Sequence, residues 1–305
     1  MDLDIEPSSE AFFHETAVLF PVEIVSSFTD AEVPATTVNL LRPPLTASLK
    51  VIIWSFFGFW TIFLAYCLIC HMAKITTRSR GFVMNLCQIL VSQTHAVIAG
   101  VVGVKIVLGT WSDVIFARSP LTNWYVMVFV GYLLYDMIVM MLTDYRKADG
   151  QPSFMQICRG QFSIYFHHAF FCILGPPMAL FLRDGKADNI IGCFLTMEIP
   201  VVFLHLHHVF SMFGKAGTRL YMVNGAVTLL TYFIFRIMIF PWMFYRLAMR
   251  KGVAFLQIHN HISKFCTIGS LAFLAMQVYW FILLIRKAFR VTRTAKAVKQ
   301  REKIV

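Results

Sequence analysis

From about residue 50 onward the chain alternates long apolar stretches with short polar ones. Seven stretches stand out, at about 50–72, 84–108, 122–143, 161–182, 188–213, 220–247 and 264–288. A helix needs about 20 mostly apolar residues to cross the hydrocarbon core, and all seven meet that length. Lipid offers the backbone no hydrogen-bond partners, so a spanning segment must satisfy its own amides, as a helix does. The pattern therefore predicts an all-α polytopic membrane protein with about seven transmembrane helices. The fourth stretch is interrupted by Gly175-Pro176-Pro177 and the fifth contains Pro200. Proline removes a backbone donor and clashes with the preceding turn, so both helices should break or kink. Freed backbone groups at membrane depth need neighbours or a cavity, which favours an internal cavity over a solid bundle.

Composition agrees. The hydrophobic fraction is 58% and only 14% of residues are charged, with thirty Phe and sixteen Met; soluble domains carry about 25% charged residues. The net charge of +11 would suggest nucleic acid if it were spread over a soluble surface. Here the bases fall between apolar stretches and in the tail, where they act as topology determinants. Nucleic acid is excluded as a partner on that ground. Lys74, Arg78 and Arg80 follow the first stretch, Arg146, Lys147 and Arg159 the third, and Lys215 and Arg219 the fifth. The C-terminal tail adds a further run from Arg286 to Lys303. The positive-inside rule places these four regions in the cytosol, with the N-terminus on the opposite side. Arg246, Arg250, Lys251 and Lys264 are the poor fit, because they fall in the sixth-to-seventh connection on the other face.

Before the first stretch lies an acidic segment with Asp2, Asp4, Glu6, Glu10, Glu15, Glu23, Asp30 and Glu32. It lacks the basic start of a signal peptide and is expected to be a weakly ordered non-cytosolic arm, with a short surface helix near Ala11 to Phe20. The expected organisation is an arm over 1–48, a first transmembrane helix over 49–77, a six-helix membrane domain over 78–290 and a basic cytosolic tail over 291–305. The last residues, Arg301-Glu302-Lys303-Ile304-Val305, have the spacing of a degenerate dilysine retrieval signal as well as that of an ordinary basic tail. Seven cysteines fit no disulfide scaffold and read as buried small hydrophobes.

Ionisable and strongly polar side chains inside spans are costly and point to sites. In the second stretch Asn85, Gln88, Ser92 and His95 form one helical stripe, and in the third Tyr132, Tyr135 and Asp136 share a face. The fourth offers Gln161, Tyr165 and His168 with His167 alongside; the fifth aligns Glu198, His205 and His208. The sixth carries Asn224, Thr228, Thr231, Tyr232 and Arg236. Any single stripe taken alone is more often interhelical glue. Convergence of five at similar depth would make a polar pocket reachable from the cytosolic leaflet.

The ordered pieces Asn85 with Ser92-x-x-His95-Ala96, Gly131-Tyr132-Leu133-Leu134-Tyr135-Asp136 and His167-His168 resemble the TLC-domain family. So do Glu198-Ile199-Pro200 with Phe203-Leu204, then Asn224-Gly225, Arg236 with Pro241, and Tyr279-Trp280-Phe281. That family groups translocating-chain-associating membrane proteins, ceramide synthases and neuronal ceroid lipofuscinosis relatives. The resemblance covers about residues 78–290 and implies six helices forming a barrel around a central cavity, preceded by an extra span. It also implies residence in the endoplasmic reticulum, with Golgi or plasma membrane as alternatives, and work on lipids. In ceramide synthases the paired histidines belong to the acyl-transfer site. The second His-Asp…Ser-Asp motif of that branch is absent here, where the chain reads Gly192 to Glu198. The match is closer to the TLC-domain-containing branch, and His205-Leu206-His207-His208 departs from the family pattern.

Three functions follow. The first is handling of sphingolipid or phospholipid acyl groups, with fatty acyl-CoA as co-substrate, no bound cofactor, and His167, His168 and Asp136 as catalytic residues. Asn85, Ser92, His95, Tyr132, Tyr135, Tyr165, Glu198, His205, His208, Asn224 and Arg236 would line the cavity. The second is a non-catalytic cargo receptor or regulator of membrane lipid composition, with protein cargo or a second copy as partner. The third, a di-metal lipid hydroxylase, is disfavoured because His205 and His207 point to nearly opposite helix faces and His259 and His261 fall across the bilayer; no metal ligand is assigned. Transport lacks the internal repeat that would support it.

Overall fold

A computed structural model describes residues 44–147, 153–160 and 162–302, with side chains to 290 except those of Thr76 and Leu182. The acidic arm with its expected surface helix, Gln161 and the final three residues lie outside the described part. Among the described residues the structure is helical throughout, with no strand, and seven helices are long and apolar enough to cross a membrane. They are Leu45–Met72, Arg80–Gly109, Pro120–Lys147, Phe162–Phe181, Asp188–Met212, Arg219–Lys251 and Lys264–Arg290, each within a few residues of its expected position. The last continues as a helix to Glu302.

Both expected breaks are present. The fourth span is α-helical over Phe162–Ile173 and winds into a π-helical turn over Pro177–Leu182. The fifth ends its first half at Thr196 and restarts at Ile199 with Pro200 in the first turn, where proline's missing N–H costs nothing. A third irregularity, a π-helical stretch over Phe233–Met238 in the sixth span, carries Arg236. Pro241 follows it, and the donor that proline lacks leaves a carbonyl one turn earlier to be satisfied otherwise.

The second and third spans are the most enclosed. The second packs on the third and fifth, the third on the fourth, the fifth on the sixth, and the sixth on the seventh. Ring contacts of His167 with Trp280, centroids 5.3 Å apart, and of Phe171 with Phe273, 5.4 Å apart, join the seventh span to the fourth. The first span lies outside that sequence of contacts, against the second and third. Gly131 allows its close approach, since a Cβ there would sit 2.6 Å from the Ile52 carbonyl oxygen. The second span meets the fifth along Ala99, Gly100 and Gly103, all buried. Small residues of this kind let membrane helices approach closely enough for backbone packing.

The odd number of crossings puts the two described ends on opposite faces. On the face away from the basic loops, Asp188 is fully buried, accepts from the Ser119 amide at 2.7 Å and pairs with Arg183 and Arg118. Two of the four cations that fit the topology poorly, Arg246 and Arg250, have partners at the same face. The Arg246 guanidinium stacks 4.2 Å over the Trp111 ring, and Arg250 pairs with Asp113 at 2.9 Å.

Candidate functional site

The second and third helices bring one end of a polar chain together. The Tyr132 hydroxyl donates to Ser92 Oγ at 3.1 Å, and the Ser92 hydroxyl donates to Asp136 Oδ1, also at 3.1 Å. Gln88, one turn from Ser92, bonds to the same carboxylate. Its other oxygen, Oδ2, lies 3.5 Å from Nδ1 of His168 on the fourth span. Asp136 and Tyr132 are buried. His168 is not: its Nδ1 is sealed, yet the side chain keeps 14% of its surface open, so the accessible part is the ring away from the carboxylate. A buried carboxylate facing one ring nitrogen while the other edge stays open is the arrangement that orients an imidazole for proton or acyl transfer.

His95 lies next to this chain, its ring stacked on Tyr132 with centroids 3.6 Å apart. It is almost completely closed, and both its ring nitrogens lack a hydrogen-bond partner. His168 and His205 are both within electrostatic range of it. Nδ1 of His167 and of His205 is likewise buried without a partner. Unpaired buried polar atoms cost about 1–3 kcal/mol each, and buried side-chain polar atoms are rarely left without a partner. Unpartnered buried polar atoms also occur on the third and seventh spans, at Thr122, Tyr125, Tyr135, Thr143 and Gln277; those of His95 and His205 are the ones beside the Asp136–His168 chain.

A second cluster lies on the fifth, sixth and seventh spans. Arg236 donates from Nε to the Met197 carbonyl at 2.8 Å, where the fifth helix is broken. Its Nη2 is 3.8 Å from Glu198. Gln277, fully buried, accepts from Arg236 at 3.3 Å and from the Tyr232 hydroxyl at 2.9 Å. Both irregular backbone stretches are therefore used: one frees a carbonyl and the other aims the guanidinium at it. Glu198 keeps 21% of its side chain open.

Chains of this length and hydropathy fall into many families, and the comparisons narrow them. A family model described as the TLC domain matches residues 85–286, two thirds of the chain and every span after the first. The chain belongs to the TLC-domain family. One similar curated protein is TLC domain-containing protein 2 of Danio rerio, 27% identical over 215 residues, covering 65% of this chain and 78% of that protein. No solved structure matches. Membership makes this a multi-span membrane protein of a family linked to lipid metabolism.

Within the TLC domain the structure separates the residues singled out from sequence. Ser92, His95, Tyr132, Asp136 and His168 meet directly, and His205 and the Glu198–Arg236 pair extend the group. Tyr135 is fully buried beside them among Phe59, Trp60 and Phe63, in an aromatic packing role. His167 points to the Phe171, Phe273 and Trp280 rings. Four residues lie elsewhere. Asn85 accepts from Lys147 at 2.7 Å at the basic end of its helix. Tyr165 donates to Asp144 at 2.9 Å, and Asn224 donates to the Phe203 carbonyl at 2.9 Å, joining the fifth and sixth helices. His208 is exposed. Each follows its stripe, but a stripe specifies an azimuth and leaves depth open. The sequence reading passed over Gln277, although a lone glutamine inside a long apolar span is itself a signal. Among the described residues no group of three or more His, Cys, Asp or Glu converges as a metal site. Cys70 and Cys87 approach to 3.7 Å, and every cysteine is free.

Proposed function

We propose that this protein binds and transfers lipid acyl groups in a chamber among its second to seventh spans, with fatty acyl-CoA as donor and a sphingoid or phospholipid amine as acceptor. The Asp136–His168 pair carries the reading. Its carboxylate is closed and fixed by Ser92, Tyr132 and Gln88, and its imidazole is open on the far edge. In the reaction, the free ring nitrogen of His168 attacks the thioester carbonyl. The C–S bond breaks as the C–N bond forms, leaving an acyl-imidazolium and a thiolate, which finally takes up the proton that the amine passes through the ring. The amine then displaces the imidazole, and its proton passes to the released ring nitrogen. Asp136 holds the ring tautomer and stabilises the imidazolium. His95 and His205, with their unpaired nitrogens, and the Glu198–Arg236 pair serve the polar end of the acceptor. The basic loops support a cytosolic C-terminus, and the endoplasmic reticulum membrane is proposed from the family likeness.

The test uses protein purified into vesicles with acyl-CoA and a sphingoid base, and measures N-acyl product by mass spectrometry. Wild type should turn over, and His168→Ala should lose roughly 10²–10⁴-fold, the usual contribution of a positioned acid–base group. Absence of turnover in folded wild-type protein, or full activity in His168→Ala, rejects the catalytic reading. Lipid profiles of cells lacking the protein, restored with wild type or His168→Ala, would then separate regulation of lipid composition from chemistry.

A further inference from the structure

A cavity of about 670 Å³ opens at the basic ends of the second, third and fifth spans, with no histidine in its lining. Its polar wall is Ser79, Arg80, Asn85, Arg146 and Lys147, and Phe82 and Met212 close its apolar side. Three cations therefore face one concavity at the end of a membrane bundle. Lys147 is partly committed, to Asn85 at 2.7 Å and Asp144 at 3.9 Å. Arg80 and Arg146 form no ion pair among the described residues, so the local charge is in surplus. Arg146 and Lys147 end the third helix, whose carbonyl end offsets only part of that charge.

Backbone donors add to it. The second helix starts at Arg80, and the Ser79 side chain satisfies only the Phe82 amide. The amides of Arg80 and Gly81 remain first-turn donors without an intrahelical acceptor. Gly81 lets this end lie against the third helix, since a Cβ there would be 3.3 Å from the Arg146 carbonyl. The arginine pair and the first-turn amides together match the oxygens of a phosphate better than a carboxylate's two, while Asn85 is engaged with Lys147 and Met212. Basic pockets between spans near the headgroup level take anionic lipid phosphates.

We propose that this pocket binds a phosphate monoester, carried by a membrane lipid headgroup or by a soluble phosphorylated molecule. The assignment does not depend on whether His168 reacts. Asn85 and Ser92 lie on one helix face about 10 Å apart, so the pocket is separate from the Ser92–Asp136–His168 group.

The experiment titrates full-length protein in neutral detergent with short-chain phosphatidic acid and, separately, with phosphatidylcholine of equal chain length. Phosphatidic acid should bind at least tenfold more tightly. The preference should vanish in Arg80→Ala/Arg146→Ala and persist in Lys215→Ala/Arg219→Ala, which removes equal charge from the same end outside the pocket. Competition by inorganic phosphate indicates that the free anion suffices, and its failure indicates that the headgroup must be presented on a lipid; either supports the pocket. Should the Arg80/Arg146 double variant not fold, the Lys versions of the same pair are used and must weaken binding, because the bidentate geometry is lost. Equal binding of the two lipids, or equal loss in both alanine double variants, overturns the proposal.

Discussion

Asp136 accepts from Ser92 and Gln88 and faces His168, and Tyr132 reaches it through Ser92. Replacing it with alanine strips those donors of a buried acceptor, at about 1–3 kcal/mol for each group left unpaired. Asp136→Ala should therefore lower the melting temperature in detergent clearly more than Asp136→Asn, which keeps one acceptor oxygen. Identical losses would mean the network contributes nothing. At the opposite face Asp113 gives a pH prediction. Partial burial pushes its carboxyl up, but the bond to Arg250 and the amides of Phe116 and Ile115 outweigh that and hold it below the usual carboxylate value. A carboxylate depressed on folding contributes stability above its unfolded pKa, near 4, and loses it as pH falls through the folded value. Heat stability should decline from about pH 4 downward, and Asp113→Asn should flatten that part of the profile. An unchanged profile in the variant would remove Asp113 from the account.

Among the elements, the second span decides the most, because one stripe serves different purposes at different depths. Ser92 and His95 meet the third span, and further along the same stripe Gly103 meets the fifth. A Cβ on Gly103 would sit 2.7 Å from the Thr196 amide and 2.8 Å from the Gly192 carbonyl, both backbone atoms that cannot rotate aside. Gly103→Leu should destabilise by about 3 kcal/mol or more, at or above the upper end of overpacking costs. Gly109→Leu, with open space around it, should be neutral in the same thermal assay; comparable losses at both positions would refute close packing as the cause. The apolar face and its length were legible in sequence because a span must match the bilayer. The polar stripe was legible in azimuth because helical periodicity fixes which residues share a face. Depth was not: Asn85 and Ser92 share a stripe, yet one ends at Lys147 and the other at Asp136, since only the neighbouring helix's register sets the partner. The π-helical stretch holding Arg236 was signalled by Pro241 but not located by it.

For the molecule as a whole, the Glu198–Arg236 pair couples two spans whose backbones are both irregular. Removing one partner of a largely buried pair leaves a charge uncompensated, at about 3–5 kcal/mol. Glu198→Gln and Arg236→Met should each destabilise by about 3 kcal/mol, and the double variant by well under their sum. Additivity within about 0.5 kcal/mol would show that the two do not interact. The sequence by itself determined the number of crossings, their limits and both proline breaks, because length and hydropathy answer to the bilayer alone. It also determined which side chains are too costly to face lipid. Only the tertiary structure decided which of those meet. It put His168 against Asp136, gave Arg236 to Glu198, and left Asn224 and Tyr165 as single tethers between helices. Such pairings depend on how neighbouring helices slide and tilt against one another, and that relative placement leaves no periodic trace in any one segment.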